Sequence, residues 1–162
     1  MKKSNQITHQ AFFPEKRSVF FKMDSTVKKA RQMLGQLFEM ASVDLTVDQW
    51  VLIERLYVNR KVSQNQLAFL SAKDEGTTTR ILDLLCKKDF TIRVPSSTDR
   101  RSFDVELTSK GRAVFKMAQK EAIEVRKKGF GRLSDLEYSK FCEMLDKVYE
   151  DLNSGNHQIA AH

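Results

Sequence analysis

The hydrophobic period of this chain is about 3.6 residues almost everywhere, and only between Lys88 and Thr108 does it fall to about 2. From Phe20 onward, Met23, Val27, Ala30, Leu34, Leu37, Phe38 and Ala41 recur every three or four residues, as on one face of a helix. In the exceptional stretch Phe90, Ile92 and Val94 alternate with Thr91 and Arg93, and Phe103, Val105 and Leu107 alternate with Asp104 and Glu106. Pro95-Ser96-Ser97-Thr98-Asp99-Arg100-Arg101-Ser102 joins the two runs, which predicts a two-stranded hairpin with a long polar tip. The fold class that follows is mostly α with one small β-hairpin. Two prolines and six glycines in 162 residues agree, being too few for a loop-rich sandwich.

Helix beginnings can be read from capping chemistry. In Leu45-Thr46-Val47-Asp48-Gln49-Trp50, Thr46 can accept from the backbone of Gln49, Gln49 can reach back, and Leu45 can pack on Trp50. The same grammar returns at Val62-Ser63-Gln64-Asn65-Gln66-Leu67 and at Leu133-Ser134-Asp135-Leu136-Glu137-Tyr138. Asp74 is a further cap. These signals predict helices over 46–59, 63–70, 74–88, 108–128 and from Ser134 to about Leu152. Residues 1–14 and 153–162 read as disordered ends.

The middle of the chain is therefore a helix, a short helix, a tight Ser71-Ala72-Lys73 turn, a longer helix and a hairpin. That order is a helix-turn-helix followed by a wing, and it brings the first turns of the longer helix to the surface, where they can enter a major groove of DNA. With Thr78, Ile81, Leu82 and Leu85 facing inward, Gly76, Thr79, Arg80 and Asp83 face outward, with Glu75 and Thr77 on the shoulder. Arg80 can grip a guanine edge or a phosphate, the threonines offer hydroxyls and methyl groups, and Gly76 permits close backbone approach. Ser63 and Gln64, opening the short helix, complete the set on the body. At the wing tip Arg100 and Arg101 suit a narrow, negative minor groove, and Asp99 can hold their direction.

Charge is consistent with a polyanionic partner. The formal net charge is +7, with eight basic and two acidic residues in 1–31, nine and five in 60–103, and three and six in 132–162. Phe12, Phe13, Phe20 and Phe21, together with Leu133–Leu152, form apolar faces that end helices can hide only against each other or a partner copy. Other classes find no foothold. There is no G-x-S-x-G, P-loop or H-E-x-x-H, so no enzyme is expected. His9, His157 and His162 lie at the ends without ligand companions, so neither a metal nor a cofactor is expected. Cys86 and Cys142 read as small core residues in a reducing compartment. No stretch is long and apolar enough to span a membrane or act as a secretory signal, so a cytoplasmic protein, on the nucleoid when DNA-bound, is expected.

Over roughly residues 19–152 the chain resembles the multiple-antibiotic-resistance regulator (MarR) family of winged helix-turn-helix proteins. The most specific match is a D-x-R-x(5)-L-T pattern, complete here from Asp99 to Thr108 and followed by Gly111. Leu45-Thr46, Gln49-Trp50, Gln66-Leu67-Ala68 and Thr77-Thr78-Thr79-Arg80-Ile81-Leu82-Asp83 are also similar to the family. One departure is Lys88-Asp89-Phe90, where the family commonly has Lys-Gly-Leu. The resemblance implies a single domain over 1–162, with 15–44 and 109–152 as dimerisation helices and 45–108 as the winged helix-turn-helix. It implies a homodimeric transcription regulator, a repressor in the usual case, on a pseudo-palindromic operator of double-stranded DNA. It further implies a small aromatic effector near Met33, Leu37, Phe38 and Trp50. The alternative is a winged-helix dimer that binds a protein partner instead of DNA.

Overall fold

Each of the six helices among the described residues begins on a side-chain oxygen that accepts the backbone N–H three residues later: Ser18, Thr46, Ser63, Asp74, Thr108 and Ser134. A computed structural model describes residues 18–96 and 103–154. The order is α1 (Val19–Met40), α2 (Val47–Asn59), β1 (Lys61–Ser63), α3 (Gln64–Leu70), α4 (Glu75–Lys87), β2 (Thr91–Pro95), β3 (Phe103–Leu107), α5 (Ser109–Phe130) and α6 (Asp135–Ser154). The capping boxes expected at Thr46, Ser63 and Ser134 are all formed. Helix α6 runs to Ser154, so residues 153 and 154 of the expected disordered end 153–162 are helical instead, while 155–162 and the expected disordered end 1–14 lie outside the described residues.

The hairpin is real but not alone. Its two strands pair antiparallel with Thr91 opposite Leu107 and Pro95 opposite Phe103, and β1 adds a third strand in the order β1-β3-β2. Three residues with one apolar member, Val62, are too short to show a period, and Ser63 is also the α3 cap. The face turned to the body carries Val105 and Leu107, both buried, opposite Arg93 and Thr91. Ile92, in contrast, is exposed. On β2 both polar residues find partners on α4: buried Thr91 has its Oγ1 3.3 Å from Cys86 Sγ, and the exposed Arg93 donates to Asp83 at 2.7 Å.

Three helices stop by one device, and none uses glycine. After α4, Asp89 takes φ 60, its N–H donates to the Cys86 carbonyl, and the Phe90 N–H donates to that of Leu85. This pair of bonds is the Schellman stop. Ala72 after α3 and Ser42 after α1 repeat it, at φ 50 and φ 53. A side chain at such φ costs about 1–2 kcal/mol, less for Asp. Glycine at each position should therefore stabilise the fold by about 0.5–1 kcal/mol, a rise in Tm of about 1–4 °C. The expected order is Ala72→Gly largest, then Ser42→Gly, then Asp89→Gly; thermal melts in which none of the three rises would refute this backbone assignment.

The chain divides into two compact units, Met1–Ile123 and Glu124–His162. The core of the first is closed by rings: Phe38 meets Trp50 edge-on at 6.1 Å, Trp50 stacks on Phe115 at 5.3 Å, and Phe115 stacks on Tyr57 at 3.7 Å. Leu52, Ile53, Leu56, Leu67, Leu82 and Leu85 beside them are fully buried. In the second unit Phe130 packs near Tyr138 and Phe141 at 5.2 and 6.1 Å. Helix α6 has no buried residue, and Leu136, Met144, Tyr149 and Leu152 are each more than half exposed. No helix among the described residues is long and apolar enough to cross a membrane.

Candidate nucleic-acid interface

The presentation of α4 starts with its cap. Asp74 accepts from both the backbone N–H and the hydroxyl of Thr77, each at 2.7 Å, and these two bonds hold its carboxyl below the ordinary range. Thr78, fully buried, donates to the Asp74 carbonyl and turns the helix face inward as expected, with Leu82 and Leu85 buried below it. Glu75, Gly76 and Arg80 are left exposed, and Thr77 and Thr79 are half-buried. Arg80 makes no hydrogen bond or ion pair among the described residues, and its charge adds a small part to the lowering of the Asp74 pKa. A Cβ at Gly76 would meet only the Asp74 side chain, at 3.3 Å, so packing within the chain does not require glycine there.

The turn before α4 is tied down from behind. Asp48, in the first turn of α2, accepts from Lys73 at 2.6 Å and from Arg31 of α1 at 2.9 Å. The Lys73 hydrogen bond is the largest cause of a lowered Asp48 pKa, followed on the lowering side by Arg31 and opposed by partial burial. A carboxylate whose folded pKa is depressed stabilises the fold above its unfolded pKa and loses that contribution as pH falls through the folded value. Asp48→Asn should therefore cost no more than about 1 kcal/mol at neutral pH, since the side chain is 47% exposed, and the difference from wild type should shrink below about pH 4. Melts at both pH values check this; an unchanged gap would mean the triad is not what stabilises the turn.

Ser63 sits in its capping box, with Gln66 Oε1 accepting from its N–H at 3.0 Å. Gln64, the first residue of α3, reaches across to α4 and donates to Thr79 Oγ1 at 2.6 Å. The structure thus places Gln64, Glu75, Gly76, Thr77, Thr79 and Arg80 on α3 and α4 of one unit, with Ser63 as the cap of α3. Nothing in the spacing announced the Gln64–Thr79 bond, because its partners are 15 residues apart. The Arg93–Asp83 pair was likewise missed; it ties the base of the wing to the exposed side of α4. The wing-tip residues Asp99, Arg100 and Arg101 lie outside the described residues.

The four residues expected around an effector are placed as follows. Phe38 and Trp50 are buried in the ring stack, and Met33 and Leu37 are half-buried on α1. A cavity of about 490 Å³ opens elsewhere, lined by Asn59, Val62, Asn65, Gln66, Phe69 and Leu70.

Comparison with known proteins places this arrangement. Residues 45–103 match the profile described as the MarR family. The HTH-type transcriptional regulator YhbI of Bacillus subtilis is 25% identical over 134 residues, 83% of this chain and 79% of that protein. SarZ of Staphylococcus aureus, also an HTH-type transcriptional regulator, is 30% identical over 71 residues, 44% of this chain and about half (48%) of SarZ. Among solved structures, a mutant of MarR from E. coli complexed with operator DNA superposes with a TM-score of 0.72 at 21% identity, covering 80% of this chain and 92% of that one. At that identity the likeness establishes the fold.

Proposed function

The chain carries a MarR-family winged helix-turn-helix domain over residues 45–103, and on that premise we propose that it is a sequence-specific DNA-binding transcription regulator, a repressor acting as a homodimer on a pseudo-palindromic operator. The observation that carries the reading is the exposed Arg80, without a hydrogen bond or ion pair among the described residues, on the capped first turns of α4, the helix that this fold offers to a major groove. The E. coli MarR structure, of the same fold, holds operator DNA, which supports the same use of α4 here. Glu75, Gly76, Thr77 and Thr79 flank Arg80, Ser63 caps α3 and Gln64 opens it, and the reading assigns Arg100 and Arg101, with Asp99, to the minor groove. A cytoplasmic location, on the nucleoid when bound, goes with this role.

The dimer reading draws on the apolar side chains left open on the end helices. Val19, Phe20 and Val27 of α1 are at least 57% exposed, and α6 buries nothing within the chain. A second copy would cover both faces, which makes 15–44 and 109–152 the dimerisation segments of one MarR-like domain. A small aromatic effector that releases the operator would have to enter beside Met33, Leu37, Phe38 and Trp50 and compete with the ring stack. The exposed Phe69, at 76%, beside the 490 Å³ cavity favours a second reading, in which that flank docks a protein partner.

The test is selection of bound fragments from the source genome at fixed salt, with sedimentation of the free protein. The expected result is a dimer at micromolar concentration and a two-fold site with half-sites about 10 base pairs apart, bound roughly a thousandfold or more above non-specific DNA. Weak, salt-sensitive binding without sequence preference would favour the protein-docking reading, and a monomer would remove the dimer.

A further inference from the structure

The direction of the hydrogen bond between Gln64 and Thr79 is fixed by counting protons. Thr79 Oγ1 carries one proton, and 2.8 Å away lies the carbonyl of Glu75, which can only accept. The hydroxyl therefore turns a lone pair toward Gln64, and the amide 2.6 Å away must present its NH2 group to it. One of the two amide protons is used in this way. The other proton and Oε1 make no hydrogen bond among the described residues, and Gln64 is half-buried.

A planar group offering one acceptor beside one donor complements a single base edge in the major groove. Adenine presents its N6 amino donor beside the N7 acceptor; guanine presents two acceptors, cytosine a donor, and thymine an acceptor with a methyl. Held by Thr79, the amide cannot exchange its oxygen and nitrogen, so it enters a groove in one order only. Gln64 stands at the start of α3, and its partner Thr79 precedes Arg80 on α4, so the amide is held against the helix that carries the guanidinium.

We propose that Gln64, braced by Thr79, reads an adenine, one in each half-site. The assignment rests on the DNA-binding reading above and adds to it a base, a specificity residue and a positioning residue. The helix start does not depend on Gln64, because Ser63 and Gln66 close the capping box without it.

The test is selection from a random double-stranded library by the full chain and three variants. The unaltered protein should select adenine at one position of each half-site. Gln64→Ala should lower that preference by roughly 5- to 150-fold, the worth of one bidentate pair, and leave other positions and the melting temperature unchanged. Thr79→Val keeps the branched shape but removes the lone pair and the proton, so it should weaken the same preference, and Thr79→Ser should restore it. If the unaltered chain selects a site and Gln64→Ala changes no position, the assignment is overturned and the DNA-binding reading stands. A uniform loss across all sequences with a shallower salt slope would place Gln64 on phosphate and overturn it equally. If the unaltered chain selects no sequence, the DNA-binding reading falls and takes the assignment with it.

Discussion

Gly111→Ala should destabilise the fold by about 3 kcal/mol, lowering Tm by about 6–12 °C, the largest effect expected of any single methyl group added to this chain. An ideal Cβ on Gly111 would lie 1.9 Å from the carbonyl oxygen of Phe90, 2.9 Å from its carbon and 3.3 Å from Leu107 Cδ2. Retreat of the Phe90 backbone is blocked from three sides. Its N–H donates to Leu85, its carbonyl accepts from Thr108 at 3.1 Å, and the residue as a whole is buried, only 4% exposed. Thr108 cannot yield either, because its hydroxyl donates to the Asp89 carbonyl and caps Gly111 itself. Gly111 is thus where α5 is pressed against the end of α4, and the added carbon must push the two apart. Gly129→Ala is the control: a Cβ there meets nothing within 4 Å, and on helix propensity it should be neutral or stabilising by up to about 1 kcal/mol. Thermal melts of both variants decide it, and a Gly111→Ala protein melting within about 2 °C of wild type would mean that contact is not tight.

The same corner of the fold shows what a sequence reveals and what it withholds. Caps were legible because they are local: Thr46, Ser63, Asp74 and Ser134 meet their partners within three residues, and all four work as read. The stop at Asp89 was legible as a departure from Lys-Gly-Leu, and φ 60 shows aspartate taking the conformation glycine would have held. Ser42 and Ala72 were not, since neither residue type advertises a left-handed stop. The reason for Gly111 was hidden too, because Phe90 is 21 residues away and only the fold brings its carbonyl close. On β2 the alternation was correct, but which side faces the body depends on Asp83 and Cys86 of α4, which no strand pattern contains. For the candidate interface, helical phase alone put Arg80 outward and Thr78 inward, both as found. The contacts that arrange the interface, Gln64 to Thr79, Lys73 to Asp48 and Arg93 to Asp83, are long-range polar bonds and leave no period in the sequence.

The second large effect is expected in DNA affinity, where the arginines of the helix and wing should fail in different ways. Arg80→Ala should cost about 1–3 kcal/mol and relax preference at one operator position if it reads a base. If it holds a phosphate, all sequences should weaken together. The wing is attached to the same helix: β2 and β3 are paired out to Pro95 and Phe103, and Arg93 bonds Asp83 of α4 at 2.7 Å, so the hairpin base and Arg80 share one support. Arg100→Ala combined with Arg101→Ala should then remove affinity at least as strongly, most of all where A·T-rich sequence narrows the minor groove. Stability should hardly move in either variant, because exposed charges seldom contribute more than about 1 kcal/mol to folding. The lysine pair separates charge from shape. Arg100→Lys with Arg101→Lys keeps both positive charges but loses the planar, weakly hydrated group that a narrow groove admits, so operator affinity should fall while non-specific binding holds. Should the double lysine protein bind its operator as tightly as wild type, the wing acts as an electrostatic anchor alone, and sequence reading rests with α4 and its Gln64 neighbour.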